Sequence, residues 1–274
     1  MRAGNRLDKV LAENKIEDVK PLNVQPLFEN ELRKRGLQFS IDSESGRHAV
    51  EIGGFSMLIS LENLQRDVAA DGDVSRVPQF VDAVVASSQA PDTAFSADQL
   101  YWSLEPNDYV ERADFRVELS DRVDRALVHL SSDGRLITWT TPAMLRSLGL
   151  SESEAGSKAF SNLARVLSEA KIETQSIDEV RLGFINTSFP FKTALILAPN
   201  LREIAGTVLG WPLMAVIPDR NFLYLWAARH TNFVQRVGGV VVREYSQASY
   251  PISTEVYEIT DEKIRAIGEF PKPN

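Results

Sequence analysis

Two short runs hold the residues whose types could do chemistry. Asn186-Thr187-Ser188 with Lys192 sets hydroxyls and a carboxamide near a lysine, a combination that binds anions or activates a serine. Arg229, His230, Thr231 and Asn232 follow an apolar run, so four polar side chains crowd the end of a buried strand, where function often resides. The expected ligand-lining residues are therefore Arg229, His230 and Asn232 together with Asn186, Thr187 and Lys192. Each run also has a purely structural reading. SFPFK is what a loop with two aromatic anchors looks like, and polar residues after a strand are ordinary caps.

Metal and cofactor chemistry finds no such footing. His48, His129 and His230 lie far apart and form no HExxH pair, whereas histidine metal sites draw on two or three ligands, often at short helical spacing. Asp71, Asp73, Ser75 and Asp82 imitate a calcium loop, but Arg76 stands where glycine is needed and Asp82 replaces the bidentate glutamate. A helix–helix turn explains that stretch better. There are no cysteines, which removes disulfides, thiolate metal sites and a cysteine nucleophile. No GxSxG elbow, GxGxxG loop or Walker-type phosphate loop occurs. The expectation is no metal, no cofactor and an unknown catalytic apparatus, if any.

Charge carries more information. The chain has a net charge of −8, and Pro91–Arg125 holds nine acids against four arginines, so most of the excess lies there. An acidic chain without a basic stripe disfavours nucleic acid and anionic membrane. Pro91–Arg125 reads either as a solvated connector or as a surface that steers a basic protein partner. Tyr101-Trp102 lies inside it as an aromatic contact anchor or as a pair tucked back onto the domain. The expected partner-binding residues are Tyr101, Trp102, Glu105 and Asp108.

The elements that must position these residues follow from periodicity and punctuation. A charged N-terminal arm (1–24) precedes a unit (25–90) with a helix at Phe28–Arg35. Strands at Leu37–Asp42, Arg47–Ile52 and Phe55–Ser60 and helices at Leu61–Ala70 and Val77–Ser87 complete it. The acidic connector (91–125) leads to a second unit (126–274), which is either separate or continuous with the first. It opens on a hairpin, Ala126–Leu130 and Arg135–Thr140, about Ser131-Ser132-Asp133-Gly134. Thr141-Pro142 starts a short helix closed by Gly149. Ser151 and Glu154 have capping-box spacing. Strands are expected at Val180–Asn186, Ala194–Leu197, Leu213–Ile217, Phe222–Ala227 and Ile252–Ile259. A helix from Pro199 is stopped by Gly210 in the left-handed conformation, and a helical or mixed segment covers Thr231–Gln247. The fold class is α+β, with antiparallel hairpins and mixed sheet covered by helices.

ISLENLQRD, ALVHLSSDGRLITWTTPAMLRSLGL, INTS and ALILAPNLREIAGTVLGWPLMAVIPDRNFLYLW occur in an order that resembles the uncharacterised bacterial YtpQ-like family. The resemblance spans about Phe28 to Ile264 and is weakest over Ala90–Asp114. It implies a bacterial cytoplasmic protein and supplies no catalytic residues. No stretch approaches a membrane span in apolar length, and the charged N-terminus lacks a signal core. The function expected is non-catalytic binding of a macromolecule, in an adaptor, chaperone-like or neutralising role. The competing expectation is an enzyme or small-molecule binder with a polar pocket around Arg229–Asn232 and Asn186–Lys192.

Overall fold

Phe28 and Leu32 stand one helical turn apart, and both are fully buried, the spacing of a single apolar stripe. They belong to α1 (Gln25–Lys34) of a computed structural model that describes residues 22–41, 47–52, 55–59, 61–89, 95–109, 113–131, 137–248 and 250–271. The expected N-terminal arm (Leu7–Lys20), the turn at 43–46, Gly53-Gly54, the Ser60 cap and the hairpin tip at 132–134 lie outside the described residues. The chain divides into two compact units between Val81 and Asp82, earlier than the expected boundary near residue 90.

In the first unit β1 (Gln38–Ile41), β2 (His48–Ile52) and β3 (Phe55–Ile59) form an antiparallel sheet in sequence order. Helix α2 (Glu62–Asp71) follows, and α3 (Arg76–Gln89) begins there. Between them Asp71 accepts from the Asp73 N–H and Asp73 from the Ser75 N–H, while Arg76 bonds Asp71. These carboxylates hold a helix–helix turn.

In the second unit every described strand pairing is antiparallel. A four-stranded sheet has the order β4 (Leu100–Pro106), β6 (Val123–Leu130), β5 (Arg116–Glu118), with β7 (Ile137–Trp139) also on β6. Helices α4 (Pro142–Leu148) and α5 (Glu152–Glu169) follow. The capping box at Ser151 and Glu154 forms in full, and Gly149 closes α4 at φ 66°. A six-stranded sheet has the order β13 (Ile264–Glu269), β12 (Glu255–Ile259), β10 (Leu213–Asp219), β11 (Phe222–Ala227), β9 (Val180–Asn186), β8 (Lys171–Ile177). The protein is α+β.

The central strands of that larger sheet are buried on both faces. Leu213, Ala215 and Ile217 join Leu225 and Tyr257 in one core, which also holds Leu104, Leu127 and the apolar face of α5. Met214 and Val216 point the other way with Trp226 and Val256, under Phe233, Val237 and Val241 of the 3-10 turn Thr231–Phe233 and helix α7 (Val234–Gln247). The unbroken apolar run of β10 is thus the mark of a strand with no wet side.

Three local expectations change. Ala194–Leu197 is part of a 3-10 helix, Lys192–Leu197, not a strand; its residues are buried all round, so an apolar run alone does not distinguish the two. The helix after Pro199 winds as π over Arg202–Gly206 before a last α turn, α6 (Thr207–Leu209). Gly210 ends it at φ 100°, ψ 160°, outside the left-handed helical region.

Gly156 shows how closely α5 approaches β4. A Cβ there would come within 3.1 Å of the Trp102 ring, whose Nε1 donates to the Gly156 carbonyl at 3.1 Å. Gly156→Val is expected to destabilise the protein by about 1–3 kcal/mol through overpacking, measured as a lower urea midpoint with unchanged slope. A variant as stable as the parent would show that α5 shifts freely over Trp102.

Candidate functional site

The acidic segment 91–125 is not a connector. It supplies β4, β5 and the start of β6, and β4 is buried through Glu105. Tyr101 packs on Phe189 at 4.9 Å between ring centroids, and Trp102 bonds into α5. Glu105 is 2% exposed. These three expected partner contacts are therefore interior groups, because both faces of β4 are covered. Asp108 alone of that set is on the surface.

The two polar loops are also not brought together. Leu225 of β11 lies opposite Gly183 of β9 in antiparallel register. Asn186 therefore leaves the sheet where β11 begins, and Arg229 follows where β11 ends, about 17 Å away along the strands. A pocket shared by Asn186, Thr187 and Lys192 with Arg229, His230 and Asn232 does not exist. Locally, Asn186 bonds Glu173, Thr187 accepts from the Phe189 N–H, and Phe189 and Phe191 are the buried anchors.

What the fold builds instead is a row of carboxylates. Cross-strand partners in β4, β6 and β5 are Glu105, Asp124 and Glu118, and such partners share one face of a sheet with Cβ atoms about 5 Å apart. Like charges placed so destabilise each other, and each acid meets this differently. Both Glu105 carboxylate oxygens accept from the single Nη2 of Arg220, at 2.9 and 2.7 Å, and one of them accepts from the Ser103 hydroxyl at 2.5 Å. Burial opposes the Arg220 charge, but the Glu105 carboxylate outweighs it and raises the arginine's pKa. The Asp124 side chain is nine-tenths buried and its nearest cation is Arg116 Nη1 at 3.6 Å, beyond hydrogen-bond reach. Glu118 is exposed.

This row opens on a depression of about 570 Å³. Glu118 and Asp124 line it with Asp108 and Asp121, and Arg116 is the single cation among its described lining residues. Asn107, which donates to the Asp121 carbonyl at 2.8 Å, and Ser120 complete the rim. Ser120 is backed by a second buried carboxylate. Glu255 Oε2 accepts from Ser120 at 2.7 Å, Ser253 at 3.0 Å and Tyr257 at 2.6 Å. Burial, then the Glu255 charge, pushes the Tyr257 phenol well above its usual range, so it remains a donor.

A serine bonded to a carboxylate suggests a nucleophile, but the geometry is that of a clamp. The Ser120 oxygen accepts from the N–H groups of Arg122 at 3.4 Å and Val123 at 3.1 Å, which occupies both lone pairs of the hydroxyl. Among the described residues no group of three acids or histidines could hold a metal ion. The site is suited to holding positive charge spread over several points. Sequence reasoning missed it because the row joins residues on three strands whose register is invisible in a single sequence.

Two of the histidines are buried. His48 is buried beside Glu29 at 3.2 Å and edge-on to Phe28, and His230 opens the 3-10 turn. His129 is buried, and its Nε2 accepts from the Ser96 N–H at 3.3 Å, which only a neutral ring can do. Desolvation lowers its pKa below 6.5.

Glu105→Gln leaves a buried guanidinium unmatched and is expected to cost about 3–5 kcal/mol, whereas Glu105→Leu with Arg220→Met costs far less. Urea denaturation of both variants checks this, and equal losses would refute it. Below pH 6.5 the unfolded chain protonates His129 while the folded chain resists, so stability falls as pH drops from 6.5 toward the lowered folded value. His129→Asn is expected to flatten the unfolding free energy in that window. Set against protein-family models, curated proteins and solved structures, the chain matches none of them.

Proposed function

We propose that this chain is a non-catalytic binding protein that takes a basic segment of a protein partner into the depression between β4, β5 and β6. The observation that carries the reading is the Glu105–Asp124–Glu118 row, in which only Glu105 has a close buried counter-charge. Asp124 and Glu118, with Asp108 and Asp121, present four carboxylates against Arg116, and a lysine or arginine entering there relieves a repulsion the folded chain carries alone. The described residues include no helix long and apolar enough to cross a membrane. The resemblance to the YtpQ-like family adds a bacterial cytoplasmic setting to the proposal and no chemistry.

The reading is tested with a fluorescent lysine-rich peptide titrated into the full chain by anisotropy. Asp108→Asn with Asp121→Asn is expected to weaken binding about tenfold, from about 0.7 kcal/mol for each exposed ion pair. Raising the salt weakens the parent similarly. Unchanged affinity in the double variant would remove the depression from consideration.

A further inference from the structure

Strand β5 pairs with β6, and β7 takes up β6 farther along, at Val128–Leu130. Among the described residues the other edge of β5 has no strand beside it. The ladder says which groups that edge offers. The Leu127 N–H donates to the Phe115 carbonyl and the Leu119 N–H to the Val123 carbonyl. Residues 115, 117 and 119 thus direct their backbone toward β6, and the N–H and C=O of Arg116 and Glu118 point away from it. All three residues of β5 are exposed.

We infer that the basic partner segment binds as an antiparallel strand added to the free edge of β5, with a lysine or arginine directly opposite Glu118. This rests on the reading of the depression as a cation site, and it follows from where the next residue of the sheet would fall. A side chain opposite Glu118 extends the Glu105–Asp124–Glu118 row by one place, on the same face. It enters the depression beside Asp124, a nine-tenths buried carboxylate that accepts no hydrogen bond among the described residues and lines the cavity. The next residue on that face, toward the Ser120 end, approaches Asp121 and is basic as well. The residue between them faces the opposite side, so the recognised pattern is basic, any, basic. Main-chain hydrogen bonds supply affinity in this mode and alternate side chains supply choice. The edge is short and charged, which suits reversible addition and resists uncontrolled pairing.

The test uses four synthetic peptides, one of them a flexible oligolysine, and the full chain. The parent alternates lysine with valine over six residues. One derivative carries backbone N-methyl groups on its lysines, the other on its valines. In an antiparallel ladder the residue opposite Glu118 exchanges both backbone bonds with it, so methylated lysines lose the N–H that donates to the Glu118 carbonyl, and methylated valines, whose N–H groups face away, lose no bond to β5. The parent and the valine-methylated peptide are expected to bind within twofold of each other, and the lysine-methylated peptide at least tenfold more weakly. Equal binding of all three overturns strand addition while leaving the cation site intact. Failure of the parent peptide, together with failure of a flexible oligolysine, overturns the cation reading itself.

Discussion

Arg220 reaches across the interior of the second unit to Glu105, 115 positions away in the chain, and much of the surrounding structure depends on that pair. The arginine lies in the tight β10–β11 turn. Its N–H donates to the Tyr250 carbonyl, its carbonyl accepts from the Thr193 N–H and hydroxyl, and its guanidinium lies 4.4 Å from the Tyr250 ring centre. One side chain thereby ties the six-stranded sheet to the edge of the four-stranded one. A buried pair of this kind is weak as a source of net stability, but its loss on one side only is severe. In the observed register Glu105 faces the arginine, so the one ionised side chain of β4 is buried with a counter-charge.

Satisfying Glu105 has a consequence one and two strands away. Register places Asp124 and Glu118 beside it, and neither receives a comparable partner. The neighbouring turn is held separately, by Ser120 between two backbone N–H groups and the Glu255 carboxylate. Like charges thus stand side by side on one face of the sheet, the arrangement on which the proposed cation site rests. Rigid support behind that face is what the proposed binding requires, since ordering costs are then met before a ligand arrives.

Particular residues show what a single sequence makes legible. Ser151 and Glu154, Thr141-Pro142 with Gly149, and the apolar periods of β2, β9, β10 and β11 announced their elements closely, since caps and periodicity act over a few residues. Strands β8 and β13 went unread because their exposed, polar residues (KIETQSI and IRAIGE) show little core-facing pattern. Segment 91–125 was misread for a different reason. The mean charge over that window conceals the buried run LYWSLE, a core strand set among acids. The helix after Pro199 was recognised in position but not in its π winding.

The amino-acid sequence by itself determined the α+β class, most element positions, the acidity and the absence of cysteine chemistry, because each of these follows from composition or from neighbours within a turn or a strand. Only the tertiary structure decided which carboxylates meet. Cross-strand register joined Glu105, Asp124 and Glu118 from three strands, and the same register separated Asn186 from Arg229 to opposite ends of one sheet. Such juxtapositions depend on pairings between distant segments, whose energies arise only when the chain has closed, and no local pattern encodes them.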